Sequence, residues 1–420
     1  MQRNDMRAMQ ENNVDRGRLR IRVQSEARPV EDAQIAISYT GDPESTVEQV
    51  TTDADGQTEL LELAAPPLEY SMEPSASQPY AEYTLQITAP GYEPVTISGA
   101  EILPDSTAIQ EVRMVPLVQP EDFQDIVIPA HTLYGDYPPK IAEAEIKPVN
   151  QTGEIVLSRV VIPEFVVVHN GSPADSTARD YYIRYRDYIK NVASSEIYAT
   201  WPRATITANV LAIMSFTLNR VYTEWYRNKG FDFTITSSTA FDHKWIYGRN
   251  IFESISEVVD DVFENYLSRP NVKQPILTQY CDGQRVKCPN WMSQWGSKSL
   301  GDQGYSAIEI LRYYYGSSMY INTAEEIAGI PLSWPGELLD IGTRGDKVEQ
   351  IQDQLNAISN NYPRIPKIAV DGIYGERTQN AVRVFQEVFG LPETGVVDYR
   401  TWYKIQEIYV GVTRIAELNP

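Results

Sequence analysis

Cysteine and histidine are scarce in this 420-residue chain: Cys281 and Cys288 are its only thiols, and it has three histidines. So few cysteines exclude a disulfide scaffold. Two thiols and one distant histidine, His243, also fall short of the four ligands a structural zinc site needs. Long apolar runs are missing as well. No stretch approaches eighteen apolar residues, so no membrane span is expected, and Met1–Ala8 lacks the apolar core of a signal peptide. Positive charge is in short supply. The formal net charge is −21, which argues against nucleic acid or an anionic membrane surface as partner, since phosphates would be repelled. Lysine does not occur before Lys140, and residues 1–120 hold 20 acidic against 8 basic residues. That asymmetry marks the N-terminal part as a separate module.

The length suits two to four domains, each with its own core. The 27 tyrosines lean toward polar-aromatic surfaces such as carbohydrate grooves. Overall the chain reads as a multidomain α+β protein. Residues 1–16 are polar and expected to be disordered. Residues 17–117 alternate in the strand manner at Leu19–Val23, Ala33–Tyr39, Tyr83–Thr88 and Glu111–Val115, with turn signals at Gly41–Pro43, Asp53–Gly56 and Ala89–Tyr92. This spacing predicts a small β-sandwich. Its order of Pro-Val, Thr-Asp-x-x-Gly and Ala-Pro-Gly-Tyr resembles the transthyretin-like, carboxypeptidase-regulatory sandwich. Residues 118–165 carry Pro120, Pro129, Pro138, Pro139, Pro148 and Pro163 and read as an extended connector. Residues 166–335 mix helix and strand, with helices expected at Ala204–Trp225, Ile251–Leu267 and Ala307–Tyr315. Residues 336–420 form the last domain.

Two blocks carry the chemistry. Tyr188–Tyr198 places Glu196 ahead of Thr200-Trp-Pro202 and a long helical run, and Trp291-Met-Ser-Gln-Trp-Gly-Ser297 clusters aromatic rings, an amide and glycine. Together they resemble the signature of the SpoIID/LytB family of peptidoglycan lytic transglycosylases over about residues 182–320. The resemblance implies cleavage of the β-1,4 bond between N-acetylmuramic acid and N-acetylglucosamine without water. One carboxyl then suffices, as acid and then base, whereas most hydrolysing glycosidases need two. Glu196 occupies the family's Ser-Glu position, with Asp242 and Asp282 as fallback acids. Ser293, Gln294, Trp295 and Trp291 are expected to position the glycan, and Tyr280 to wall the groove. The family's Met-Pro after the glutamate is Ile197-Tyr198 here, the arginine common in the following helix first appears at Arg220, and the leading glycines and histidine of the second block are replaced by Cys288-Pro-Asn-Trp291. Cys281 and Cys288 read as free thiols, as a disulfide pinning a hairpin, or as zinc ligands joined by His243. His131 and His169 read as structural, and no metal or cofactor is expected.

Farther on, Ile341-Gly-Thr-Arg-Gly345, Asp371-Gly-Ile-Tyr-Gly375, Phe385-Gln386, Thr394–Asp398 and Thr401-Trp402 resemble the three-helix peptidoglycan-binding module. Val348, Ile351 and Leu355 would face one helix inward and Val382, Phe385 and Phe389 another. Asp371 and Tyr374, on a loop expected to be exposed, are the contact residues implied. The order of sandwich, connector, catalytic domain and binding module resembles the spore cortex-lytic enzymes. Within that family the N-terminal part is a pro-region removed by an activating protease, here expected to cut between Leu117 and Glu145. The partner implied is the glycan strand of cortex or wall, reached without a visible signal peptide. A non-catalytic wall-binding or scaffold protein is the rival function. A third is the same enzyme without activation, its sandwich serving adhesion.

Overall fold

A computed structural model describes residues 14–25, 28–117, 124–147, 159–324, 326–327 and 338–413. Most of the N-terminal stretch expected to be disordered lies outside these residues. Regular structure begins with β1 (Asp15–Ser25), whose alternation is strict: Leu19, Ile21 and Val23 point into the core while Arg18 faces solvent. The following strands are β2 (Arg28–Pro29), β3 (Gln34–Tyr39), β4 (Asp42–Thr51) and β5 (Leu61–Ala65). A short helix, α1 (Glu69–Met72), precedes β6 (Ala81–Thr88), β7 (Val95–Ile102), β8 (Thr107–Arg113) and β9 (Gln124–Val127). One sheet runs β4-β3-β6-β7-β9, with β9 parallel to β7. In the other, β1 is flanked by β8, β2 and β5. The sequence pattern misses β4 because it is a polar edge strand, and misses β7 because Gly99 interrupts it.

Two features tie this region to the rest. Ile251–Phe252 (β14) adds antiparallel to β8, so the middle of the chain supplies an edge of the N-terminal sheet. The helix expected over Ile251–Leu267 is therefore shorter: α4 is Glu253–Val262, and Asn265–Ser268 is strand β15, paired with β18 (Tyr320–Thr323). Pairing at both ends overrides the helical periodicity. The segment read as a connector is also no passive linker, since residues 124–127 are β9 and residues 128–147 lie hydrogen-bonded along the central region.

The central region begins with β10 (Val161–Ile162), β11 (Phe165–His169) and β12 (Asp180–Arg184), followed by α2 (Tyr185–Glu196) and α3 (Arg203–Tyr222). Helix α3 is buried nearly all round, as an axial helix should be. Its buried polar groups are matched: Ser215 donates to the Ile276 carbonyl, Asn219 to Pro275, and Asn209 to Ser297. It ends three residues short of Trp225, where Glu224 turns to φ +44°. Around it stand α4, α5 (Gln294–Asp302) and α6 (Ala307–Tyr315), the last on the residues expected. Strand β13 (Ile235–Thr236) pairs with β11, and β16 (Tyr280–Cys281) with β17 (Met292–Ser293).

Three helices, α7 (Asp346–Ser359), α8 (Glu376–Val388) and α9 (Tyr399–Thr413), form the C-terminal region. Val348, Ile351, Leu355, Val382, Phe385, Trp402 and Ile405 are buried in its core. Each connecting turn is held by a buried glutamine. The Gln352 carbonyl oxygen accepts from Asp371 and Gly372 N–H while its amide donates to Ile373 O and Thr378 Oγ1. Gln386 repeats the pattern, accepting from Gly395 N–H and donating to Val396 O and Thr401 Oγ1.

Candidate active site

Glu196 is the last residue of α2 and is buried. Its Oε1 accepts from the Lys244 backbone N–H at 2.8 Å, and its Oε2 from Gln294 Nε2 at 3.3 Å. The same Gln294 amide donates to the Glu196 carbonyl at 2.8 Å, locking the helix end as well as the side chain. Burial pushes this carboxyl above the ordinary glutamate range, against the opposing pull of the Lys140 ammonium, of the Lys244 and Gln294 donors and of the nearby Tyr280 hydroxyl. An acid so placed is biased toward the protonated form, the state in which it can give a proton away.

Tyr280 lies beside the carboxyl and is electrostatically coupled to it, although its hydroxyl makes no hydrogen bond within the described residues. Its ring stacks on His243, with centroids 5.8 Å apart and planes at 13°. His243 Nδ1 lies 3.1 Å from the Tyr188 hydroxyl, while its Nε2 has no partner among the described residues. Burial and the charges of Lys140 and Arg220 hold this imidazole neutral. The parallel pairing of Tyr280 with Met292 and of Cys281 with Ser293 sets Tyr280 beside the second sequence block, and the Gln294–Glu196 bonds join that block to the first.

The second block is used differently by its members. Ser293 is the N-cap of α5, its Oγ accepting from Gly296 N–H at 2.9 Å. Gln294 holds Glu196. Trp295 packs against Trp201 at 5.0 Å and edge-on to Tyr198 at 6.1 Å. It also lines a cavity of about 310 Å³ with Tyr134, Tyr198, Asp282 and Arg285. Trp291 is half-buried. The fallback acids are both committed. Asp242 is fully buried, bonded to Arg220 Nε at 2.7 Å, Tyr226 Oη at 2.6 Å and Thr236. Asp282 accepts from Arg285 and Val286 N–H in the turn between the cysteines. Those cysteines form a disulfide, which removes them as zinc ligands, and no three metal-binding side chains converge among the described residues. His131 Nε2 donates to Ile197 O at 3.1 Å, and His169 Nδ1 contacts Asp180 at 2.7 Å.

Several residues at the site carry no local signal. Lys244 supplies a backbone donor 48 residues from Glu196, and any residue but proline would serve. Arg249 clamps the Ser194 carbonyl through Nε at 3.0 Å while pairing with Glu101 of β7 at 2.6 and 3.1 Å. The N-terminal sheet thus reaches the backbone two residues before the acid. In the C-terminal region Asp371 is exposed, but Tyr374 is not. It is buried, its hydroxyl donating to Gly395 O at 2.8 Å, so it braces the turn and is no surface contact.

Residues 344–405 match the model of a family described as a putative peptidoglycan binding domain. No curated protein matches the chain. Among solved structures the chain is similar to one titled "The crystal structure of SleB N-terminal domain", 28% identical over 18% of this chain and 99% of that one, with a TM-score of 0.16. The three-helix region is therefore a peptidoglycan-binding module, and peptidoglycan is the partner it implies. No helix among the described residues is long and apolar enough to cross a membrane.

Proposed function

We propose that this protein is a peptidoglycan lytic transglycosylase with Glu196 as its acid and base, acting on wall or spore-cortex glycan and made as a zymogen of the SleC type. The observation that carries this is the buried Glu196 carboxyl, held by two donors beside Tyr280, in a chain that also binds peptidoglycan. In the reaction Glu196 gives its proton to the glycosidic oxygen as the bond from muramic C1 breaks. The resulting carboxylate then takes the proton of the muramic C6 hydroxyl, whose oxygen closes on C1. No water is consumed, and the acid ends protonated as it began. Gln294 and the Lys244 N–H fix the carboxyl through both steps, and Trp295 and Tyr198, which line the adjoining cavity, would give the sugars aromatic contact.

The test is mass spectrometry of muropeptides released from purified cortex and sacculi, with the native chain freed of its N-terminal part and with the same protein carrying Glu196→Gln. Anhydromuramyl ends that fall by about 10²–10⁴-fold in the variant would bear the proposal out. No anhydro product from either protein would make this a non-catalytic wall-binding protein. Undiminished product from Glu196→Gln would move the acid elsewhere.

A further inference from the structure

Residues 128–147 cross the face of the central region at the acid. Thr132 bonds to the Ser195 carbonyl through both N–H and hydroxyl, at 3.1 and 2.8 Å, next to Glu196 itself. The Ile141 N–H donates to Ala240 O at 2.6 Å, the Glu143 N–H to Gln279 Oε1 at 2.9 Å, and the Lys147 N–H to Gln274 Oε1 at 2.7 Å. Gln279 and Leu277 donate back to the carbonyls of Ile141 and Glu145. Beyond a turn at residues 131–135, the prolines at 138 and 139 favour extended backbone. Glu143 and Lys147 turn their charges inward, while Asp136 is exposed. Glu143 forms a fork on Arg220 at 2.6 and 3.0 Å, and Arg269 does the same on Glu145 at 2.6 and 2.7 Å.

Lys140 is the centre of this arrangement. Its ammonium sits 5.3 Å from the Phe216 ring centroid and 4.9 Å from that of Tyr280, donates to the Asp242 carbonyl, and lies close enough for its charge to act on Glu196. It thus occupies an aromatic and acidic recess of Phe216, Tyr280 and Asp242 beside Glu196. The Tyr280 hydroxyl and His243 Nε2 lie near it without a hydrogen-bond partner among the described residues. The cavity beside Trp295 is roofed in the same way, by Leu133 and Tyr134 of the strap and by Tyr70 and residues 74–77 of the N-terminal region.

We infer that residues 128–147 are an internal occupant of the glycan site, with Lys140 standing where a sugar must bind, so that the intact chain is latent until the strap leaves. This rests on Glu196 being the acid. It also limits where an activating cut can work. A cut between Leu117 and Gln124 leaves the strap joined to the central region, whereas a cut beyond Lys147 frees it.

The test uses two otherwise intact chains, one with a site-specific protease sequence between Lys147 and Arg159, the other with it between Leu117 and Gln124. Access to Glu196 is read by carbodiimide-driven coupling of a small amine, quantified on the Glu196 peptide by mass spectrometry. Labelling should rise at least tenfold after the first cut and removal of the released piece, and stay at the intact level after the second. A third protein, intact with Lys140→Ala and Glu143→Ala, should label faster than the native chain with an unchanged circular dichroism spectrum, so unfolding of a truncated product cannot decide the result. Equal labelling of intact and cut protein, equal exposure by both cuts, or no gain in the double variant would each overturn the inference. Labelling as expected without anhydromuropeptides would keep the strap and refute the transglycosylase. Full release of anhydromuropeptides by the intact chain would keep the acid and refute the strap.

Discussion

Breaking the Glu101–Arg249 pair is the sharpest test of how the N-terminal sheet supports the site. Both side chains are buried, the guanidinium grips the carboxylate at 2.6 and 3.1 Å, and its remaining hydrogen-bonding capacity goes to the Ser194 carbonyl. Asn250 reinforces the junction, exchanging two hydrogen bonds with the Glu101 backbone at 2.9 and 3.0 Å. Glu101→Gln keeps size and shape but leaves a buried cation without its anion, and such losses cost about 3–5 kcal/mol. For a cooperative unit of this size that is a fall in Tm on the order of 10 °C. Arg249→Met should cost at least as much, because the Ser194 carbonyl loses its partner too. The double variant Glu101→Leu, Arg249→Met removes both charges, and its stability should return to within about 2 kcal/mol of the native chain. Urea unfolding followed by tryptophan fluorescence, arranged as a double-mutant cycle, separates the coupling from the single losses. A Glu101→Gln protein within about 1 kcal/mol of the native one would refute the reasoning, since the pair would then be solvated or the sheet not docked.

Three further outcomes are expected. Burial pushes the Glu143 carboxyl up, but Arg220 and Lys147 outweigh it and hold it at about 2. A depressed carboxyl contributes fully above its unfolded value near 4.5 and is lost as pH falls toward 2, so the strap should loosen across that window. Lys147 sits 4.1 Å over the Trp225 ring, so a change in Trp225 emission in that pH range, abolished by Glu143→Gln, checks it. Replacing Gln386 by Leu strands the Gly395 N–H, the Val396 carbonyl and the Thr401 hydroxyl, and should destabilise the peptidoglycan-binding module by about 2–4 kcal/mol in calorimetry. Changing Cys281 and Cys288 to Ser opens a loop with a sequence separation of 7 and should cost about 2.5 kcal/mol by chain entropy, seen as a lower denaturation midpoint.

Much of the framework is legible in the residues themselves. Alternation in Leu19–Val23 and the turn glycines at 41, 56 and 91, all with positive φ, give the strands and their reversals. Ala307–Tyr315 is bounded by a Ser306–Glu309 capping box, a signal written in four residues. The periodicity over Ile251–Leu267 points to a longer helix than forms, because a periodic stretch cannot show that both its ends will be taken by strands elsewhere. Tyr374 differs from the expectation because a tyrosine beside glycines in a turn has the same local sequence whether its ring points out or braces the next turn.

What the sequence determined alone are the properties set by neighbours along the chain: the strand and helix periods, the charge imbalance before Lys140, the turn chemistry of the C-terminal module, and Glu196 in its block. What only the tertiary structure decided are relations among residues tens of positions apart. Gln294 holds Glu196 across 98 residues, Arg249 joins Glu101 to Ser194, and Lys140 lies over the recess between Phe216 and Tyr280. A lysine, an amide and an arginine have no local period or spacing that names their partners. Their roles come from burial, which makes an unmatched charge or donor costly and so selects the one arrangement in which each is matched.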